Sequence, residues 1–216
     1  MKNQFNVLPH TPWTAKKHWS IEYHSLVMLI ISLTILGMGE GLLLLANLGS
    51  APWTVLSQGV ALQAGFNVGW ASLIISAIVM LMWFPLKLRA GLGTVLNTLL
   101  VALSLGITVD FISVPHSMLL RFTYALLGIL LFGVASAFYL TCHQGAGPRD
   151  GLMVGLCQRW HCKVGIVRTL IEITVCAIGF CLGGTVGIGT LLFAFSIGWI
   201  VQLTLNTIGY CLRLKK

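Results

Sequence analysis

Two stretches decide how this chain is read: Gly49-Ser50-Ala51-Pro52-Trp53-Thr54 and Gly145-Ala146-Gly147-Pro148-Arg149-Asp150. In each, small residues that let the backbone turn lead into a proline. Proline suits the first helical turn, where its missing N–H costs nothing. The helices they predict run to about residues 65 and 161. At about 13 or 14 residues each, they are too short to cross a hydrocarbon core, which takes about 20. Both therefore read as half-helices, either re-entrant or interfacial.

Pro52 and Pro148 stand 96 positions apart, and the same offset pairs much else without a gap. Gly37 meets Gly133, Gly59 meets Gly155, and Val68-Gly69 meets Val164-Gly165. Gly91, Gly93 and Thr94 meet Gly187, Gly189 and Thr190. Apolar helices match by chance at Leu and Val, but not at aligned glycines and a proline. The pattern predicts an internal duplication.

The surroundings of the two stretches set the class. Of 216 residues, 57% are hydrophobic and 8% charged, with mean hydropathy +0.93. A soluble domain carries about 25% charged residues, so this chain cannot clothe a water-facing surface. Apolar runs at 26–48, about 68–86, 91–112, 121–142, 164–183 and 187–210 predict six transmembrane helices. The expected fold is an all-α polytopic membrane protein of six spans and two half-helices. Its divisions are an arm at 1–20, repeats at 21–112 and 113–210, each of three spans plus a half-helix, and a basic tail at 211–216. The first run is too long for a signal segment and lacks a cleavage pattern, so it is read as a retained span.

Three spans per half is an odd number, so the halves must insert oppositely. With the N-terminus in the cytoplasm, Lys2, Lys16, Lys17, Lys87, Arg89, Arg149, Arg159, Lys163, Arg213, Lys215 and Lys216 gather inside, and Arg121 stays outside. That division obeys the positive-inside rule and puts both termini in the cytoplasm. The net charge of +8 is thus a topology mark, not a nucleic-acid footprint. Inverted repeats with broken helices at matching positions characterise secondary transporters, whose sites lie between the repeats.

The motifs Leu48-Gly49-Ser50-Ala51-Pro52-Trp53-Thr54, Gly91-Leu92-Gly93-Thr94 with Asp110, and Gly145-Ala146-Gly147-Pro148-Arg149-Asp150-Gly151 resemble those of the YczE/YyaS/YitT family of bacterial integral membrane proteins. The resemblance extends over nearly the whole chain and is greatest to the YczE type, since no soluble C-terminal domain of the YitT kind follows. Thr54 stands where an acid is often seen. The resemblance implies a bacterial cytoplasmic (inner) membrane location and little about chemistry.

Ionisable groups at membrane depth are expensive and are functional candidates by default. Glu40 lies inside the first span, where Gly37, Gly39 and Gly41 let another helix approach, so it is expected to face protein. It serves either as a structural hydrogen-bonding group or as a substrate, proton or cation site. Arg168 and Glu172, four apart, share a helix face; their repeat mates are Ser72 and Ser76, so that face is expected to look inward. They form either a structural ion pair or part of a gate. At Gly147-Pro148-Arg149-Asp150 the helix start offers free N–H groups to an anion, with Arg149 adding charge and Asp150 capping or binding a cation. Plain capping is the alternative. Asp110 is expected to be an interfacial anchor.

Cys142, His143, Cys157, His161 and Cys162 were weighed as soft metal ligands, but their spacing matches no closed site. No metal or other cofactor is expected. HExxH, GxSxG and P-loop patterns are absent, which argues against an enzyme. Trp13, Trp19, Trp70 and Trp83 sit near span ends, as interface belts do. The leading expectation is a transporter of a small solute or ion working by alternating access. Its binding or transport residues would be Glu40, Gly49, Pro52, Gly147, Pro148, Arg149, Asp150, Arg168 and Glu172. A membrane scaffold or accessory factor is the alternative, and an intramembrane enzyme the third reading. The expected partners are the lipid bilayer, an unidentified small solute or ion, and a second copy in a homo-oligomer, but no nucleic acid.

Overall fold

A computed structural model describes residues 9, 11–161 and 164–213. Lys2, Cys162, Lys163, Lys215 and Lys216, with much of the arm and the end of the tail, lie outside the described residues. Every regular element among those described is a helix: α1 (Tyr23–Leu45), α2 (Pro52–Ala64), α3 (Val68–Leu81), α4 (Leu92–Phe111), α5 (Met118–Thr141), α6 (Pro148–Trp160), α7 (Val164–Cys181) and α8 (Ile188–Arg213). Both short helices open on the proline that the sequence singles out, with Pro in the first turn.

The helix starts repeat at the expected spacing. α2 and α6 begin and end 96 residues apart, as do the starts of α3 and α7 and of α4 and α8. Backbone conformation keeps the same register. Residues with positive φ are Asn47, Gly49, Gly65 and Lys87 in the first half, and His143, Gly145, His161 and Gly183 in the second. Each is the 96-residue mate of another. The non-glycine members lie in the turns just after helices, where a left-handed residue commonly ends the helix.

Four of these helices, α1, α4, α5 and α8, are long and apolar enough to cross a bilayer. The pair α2 and α3 makes a further candidate, bent by 114° at the break between them. The chain is therefore a multi-pass, membrane-embedded, all-helical protein. The run expected at 68–86 stops being helical at Leu81. Beyond it the backbone closes successive turns through Leu86 and Lys87, because Trp83 folds inward. Its indole N–H donates to the Pro148 carbonyl at 3.1 Å, and only 5% of the residue is exposed. Trp83 is thus a core residue rather than part of an interface belt. Trp19 and Trp70 remain exposed.

α1 is the central helix. Its Gly39 approaches α5 so closely that an added Cβ would lie 2.8 Å from the Gly128 carbonyl oxygen, and Gly128 is equally tight against Gly39. Gly37 and Gly41 turn instead to α4, against Ser104 and Thr108. Small residues allow this close packing where lipid tails supply no hydrophobic drive between helices.

Each half also grips the turn that precedes the other half's short helix. The Gly93 N–H donates to the Gln144 carbonyl at 2.9 Å, and the Gly189 N–H donates to the Leu48 carbonyl at 2.7 Å. Gly93 and Gly189 are mates, and so are Leu48 and Gln144. At the first of these ends the N-terminal arm is also held. Trp13 donates to Thr141 Oγ1 at 2.9 Å, Trp19 to the Ala90 carbonyl at 3.0 Å, and Gln144 Nε2 to the Ser20 carbonyl at 2.7 Å. The hydrogen bonds therefore gather the arm, residues 90–93 and residues 141–144 at one end. Leu48, Gly49 and residues 187–190 meet elsewhere.

Candidate functional site

A cavity of 360 Å³ lies between the two halves. Ligand pockets commonly measure about 300–1,000 Å³, so it admits a small solute. Its wall is built from mates. Leu36 faces it with Phe132, Glu40 with Ser136, Ala51 with Gly147, Trp53 with Arg149, Ser72 with Arg168, and Ser76 with Glu172. Many positions of the two halves thus face one space in pairs, and the pairs at Glu40, Arg149, Arg168 and Glu172 differ in charge.

Glu40 is almost wholly buried, 1% exposed. One oxygen, Oε1, accepts from Arg149 Nη1 at 2.9 Å. The other, Oε2, has no hydrogen-bond partner among the described residues. The Arg149 guanidinium also lies 5.4 Å from the centroid of the Trp53 ring, within range of a cation–π contact. Trp53 and Arg149 each hold the second position of their half-helices, so the two helix starts meet through side chains 96 positions apart. Glu40 brings α1 into the same contact.

Arg168 pairs with Glu172 at 3.0 Å across one turn of α7, and both remain partly exposed on the cavity wall. Asp150, in the first turn of α6, is exposed to the cavity. Its carboxylate takes part in no hydrogen bond or ion pair among the described residues. Arg168 and Arg149 are near enough to attract it, yet each is already held by another acid.

Seven of the nine expected site residues line this one space: Glu40, Pro52, Gly147, Arg149, Asp150, Arg168 and Glu172. Gly49 and Pro148 stand behind the wall. Gly49, at φ +99°, packs on Gly187 and Thr190, and the Pro148 carbonyl receives Trp83. The charge that Arg149 was expected to add for an anion is paired through Nη1 with Glu40. Asp110 accepts from Asn67 Nδ2 at 2.6 Å, which joins the end of α4 to the start of α3. Among the described residues, no three His, Cys, Asp or Glu side chains come close enough to hold a metal ion. Sequence reasoning passed over Trp53, Asn97, Ser136 and Gln202, which also line the cavity. The signal was present for Trp53 and Ser136, as the mates of Arg149 and Glu40.

The family model of a family of unknown function, DUF6198, matches residues 23–206. The chain belongs to that family. A Haemophilus influenzae relative, described as an uncharacterized protein, is 54% identical over 209 residues, covering 97% of this chain and 96% of its own length. The uncharacterized membrane protein YczE of Bacillus subtilis is 30% identical over 195 residues, 87% of this chain and 85% of its own. YyaS of the same organism is 26% identical over 169 residues, 75% of this chain and 83% of its own. The resemblance read from the motifs is therefore to the right family. No solved structure matches the chain.

Proposed function

We propose that this protein is a bacterial inner-membrane transporter of a small solute or ion, working by alternating access between two inverted repeats. In this reading α1, α4, α5, α7 and α8 cross as helices, α3 crosses together with the turns that continue it to Lys87, α2 and α6 are re-entrant half-helices, and both termini are cytoplasmic. The observation that carries it is the cavity between the halves, lined by mates and holding charges that are costly at membrane depth. A scaffold has no use for charged side chains around an internal cavity, whereas a carrier needs a site between moving parts.

Two features support movement. The turn before α2 rests on the second half through the Gly189 N–H to the Leu48 carbonyl, and the turn before α6 rests on α4 and its start through the Gly93 N–H to the Gln144 carbonyl and the Thr94 hydroxyl to the Ala146 carbonyl. Exchanging one such contact for water costs little net free energy, about 0.5–1.5 kcal/mol. Arg149, Trp53 and Glu40 join both halves at the cavity, so rocking of one half against the other passes through their contact.

The test is accessibility. Ser136, the cavity-lining mate of Glu40, becomes the only cysteine in Ser136→Cys made in a background lacking the native cysteines. A membrane-impermeant thiol reagent should label it in both right-side-out and inside-out vesicles. Labelling from one face alone, or none from either, defeats alternating access and leaves the scaffold reading ahead.

A further inference from the structure

We propose that the cavity binds a small organic monocation, an ammonium ion, on the Asp150 carboxylate. The inference rests on the cavity being the binding site, and it names the substrate class.

The charges on the wall carry it. Glu40 with Arg149 and Arg168 with Glu172 are two closed pairs, at 2.9 and 3.0 Å. That leaves Asp150 as the one wall carboxylate without a partner. A lone ionised carboxylate in a site of low dielectric is expensive, and a bound cation relieves that cost. Asp150 sits on the first turn of α6, where the helix dipole favours its charged form.

The remaining wall separates an organic cation from a bare ion. A bare metal ion exchanges its hydration shell for several oxygens, six to eight for calcium, and among the described residues no three His, Cys, Asp or Glu side chains gather to supply them. Instead Trp53, Phe132, Tyr139 and Phe193 face the cavity. Phe132 and Phe193 meet edge to face at 5.1 Å. The Tyr139 hydroxyl is already donated to the Gly145 carbonyl at 2.9 Å, so its contribution is its ring. Aromatic faces and alkyl surface suit the carbon groups of an ammonium ion and attract its charge.

The experiment measures binding to the full chain in nanodiscs, by calorimetry and thermal shift, without any flux. The probes are n-butylammonium, ethanolamine and choline, against butan-1-ol, ethylene glycol, butyrate, β-alanine and sodium. At least one ammonium ion should bind, and bind at least about tenfold more tightly than the neutral probe of similar shape. Asp150→Asn should remove that preference, while Arg168→Gln should keep it. Unfolding of either variant leaves the wild-type charge series as the deciding comparison. Equal binding of neutral probes, preference for butyrate, binding confined to β-alanine or to sodium, or no binding at all would each overturn the proposal. Ammonium binding without flux in liposomes would uphold it and sink the transport reading, and flux of an uncharged solute would do the reverse.

Discussion

Arg149 lies over the ring of Trp53, its guanidinium carbon 5.4 Å from the ring centroid, and the two residues stand 96 positions apart at the second position of their short helices. One is a cation, the other the aromatic face that receives it. Glu40, on α1, adds a 2.9 Å ion pair to Arg149. Matching positions of the two short helices thus build an asymmetric site. The arrangement makes Glu40 and Arg149 a single unit whose members cannot be altered independently.

The first prediction follows from that unit. Glu40→Gln should strand the Arg149 charge, and Arg149→Gln should strand Glu40, so each single change lowers stability. The double change should recover part of the loss. Arg149 keeps 21% of its side chain exposed to the cavity, which softens the penalty relative to a fully buried pair. A double-mutant cycle on thermal unfolding should give a coupling of about 1–3 kcal/mol. Additive single effects would mean that the pair is not formed.

Topology gives the second. Single cysteines replacing Arg89 and His143 should react from the cytoplasmic face, and those replacing Ser117 and Thr185 from the opposite face. The hydrogen bonds of Trp19 to Ala90 and Gln144 to Ser20 hold the first two regions beside the arm. Lys16, Lys17, Lys87 and Arg89 gather there as well, as cytoplasmic loops require. Reaction of the Arg89 position from outside would refute the inverted arrangement.

The third concerns two glycines in left-handed conformation. An added Cβ at Gly65 meets nothing within 4 Å, and its mate His161 holds a similar φ of 54° with a side chain present. Gly65→Ala should therefore cost only the left-handed penalty, about 1–2 kcal/mol. At Gly49 the same change drives the methyl into Gly187 and Thr190, at the seam between the halves. Gly49→Ala should cost more than about 2 kcal/mol, and the fall in midpoint temperature in detergent should be plainly larger than for Gly65→Ala.

What the sequence revealed and what it hid divide along physical lines. Pro52 and Pro148 mark their helix starts because a proline constrains local geometry wherever it falls. The apolar length of α1, α4, α5 and α8 is a local property too, and it was equally visible. Glu40 was legible as facing protein because glycines flank it. Its partner was not, because nothing local ties position 40 to position 149. Trp83 was misread for the same reason. Its place near a span end suggests a lipid interface, while its burial depends on the Pro148 carbonyl 65 residues away. The offset between the copies carries some of this long-range information, since Trp53, the mate of Arg149, is also its neighbour.

The last prediction concerns the entrance of α6, where Gly147 borders the cavity. Its φ of −62° is open to any residue, so no backbone strain opposes a side chain. An added Cβ would sit 3.3 Å from the Asn97 amide, a tight contact that a polar side chain on the wall relieves by a small shift. Gly147→Ala should fold and retain ligand binding with little change. Gly147→Leu directs its extra carbons into a cavity of only 360 Å³. Folded yield should fall modestly, while ligand binding and flux should be lost, because the added volume occupies the ligand's space and not the helix contacts. Size-exclusion profile and thermal midpoint report the first effect, and calorimetry with the ammonium probes reports the second. If Gly147→Leu binds as the wild type does, Gly147 does not border the ligand. If Gly147→Ala already fails to fold, the turn tolerates no side chain and its glycine serves packing alone.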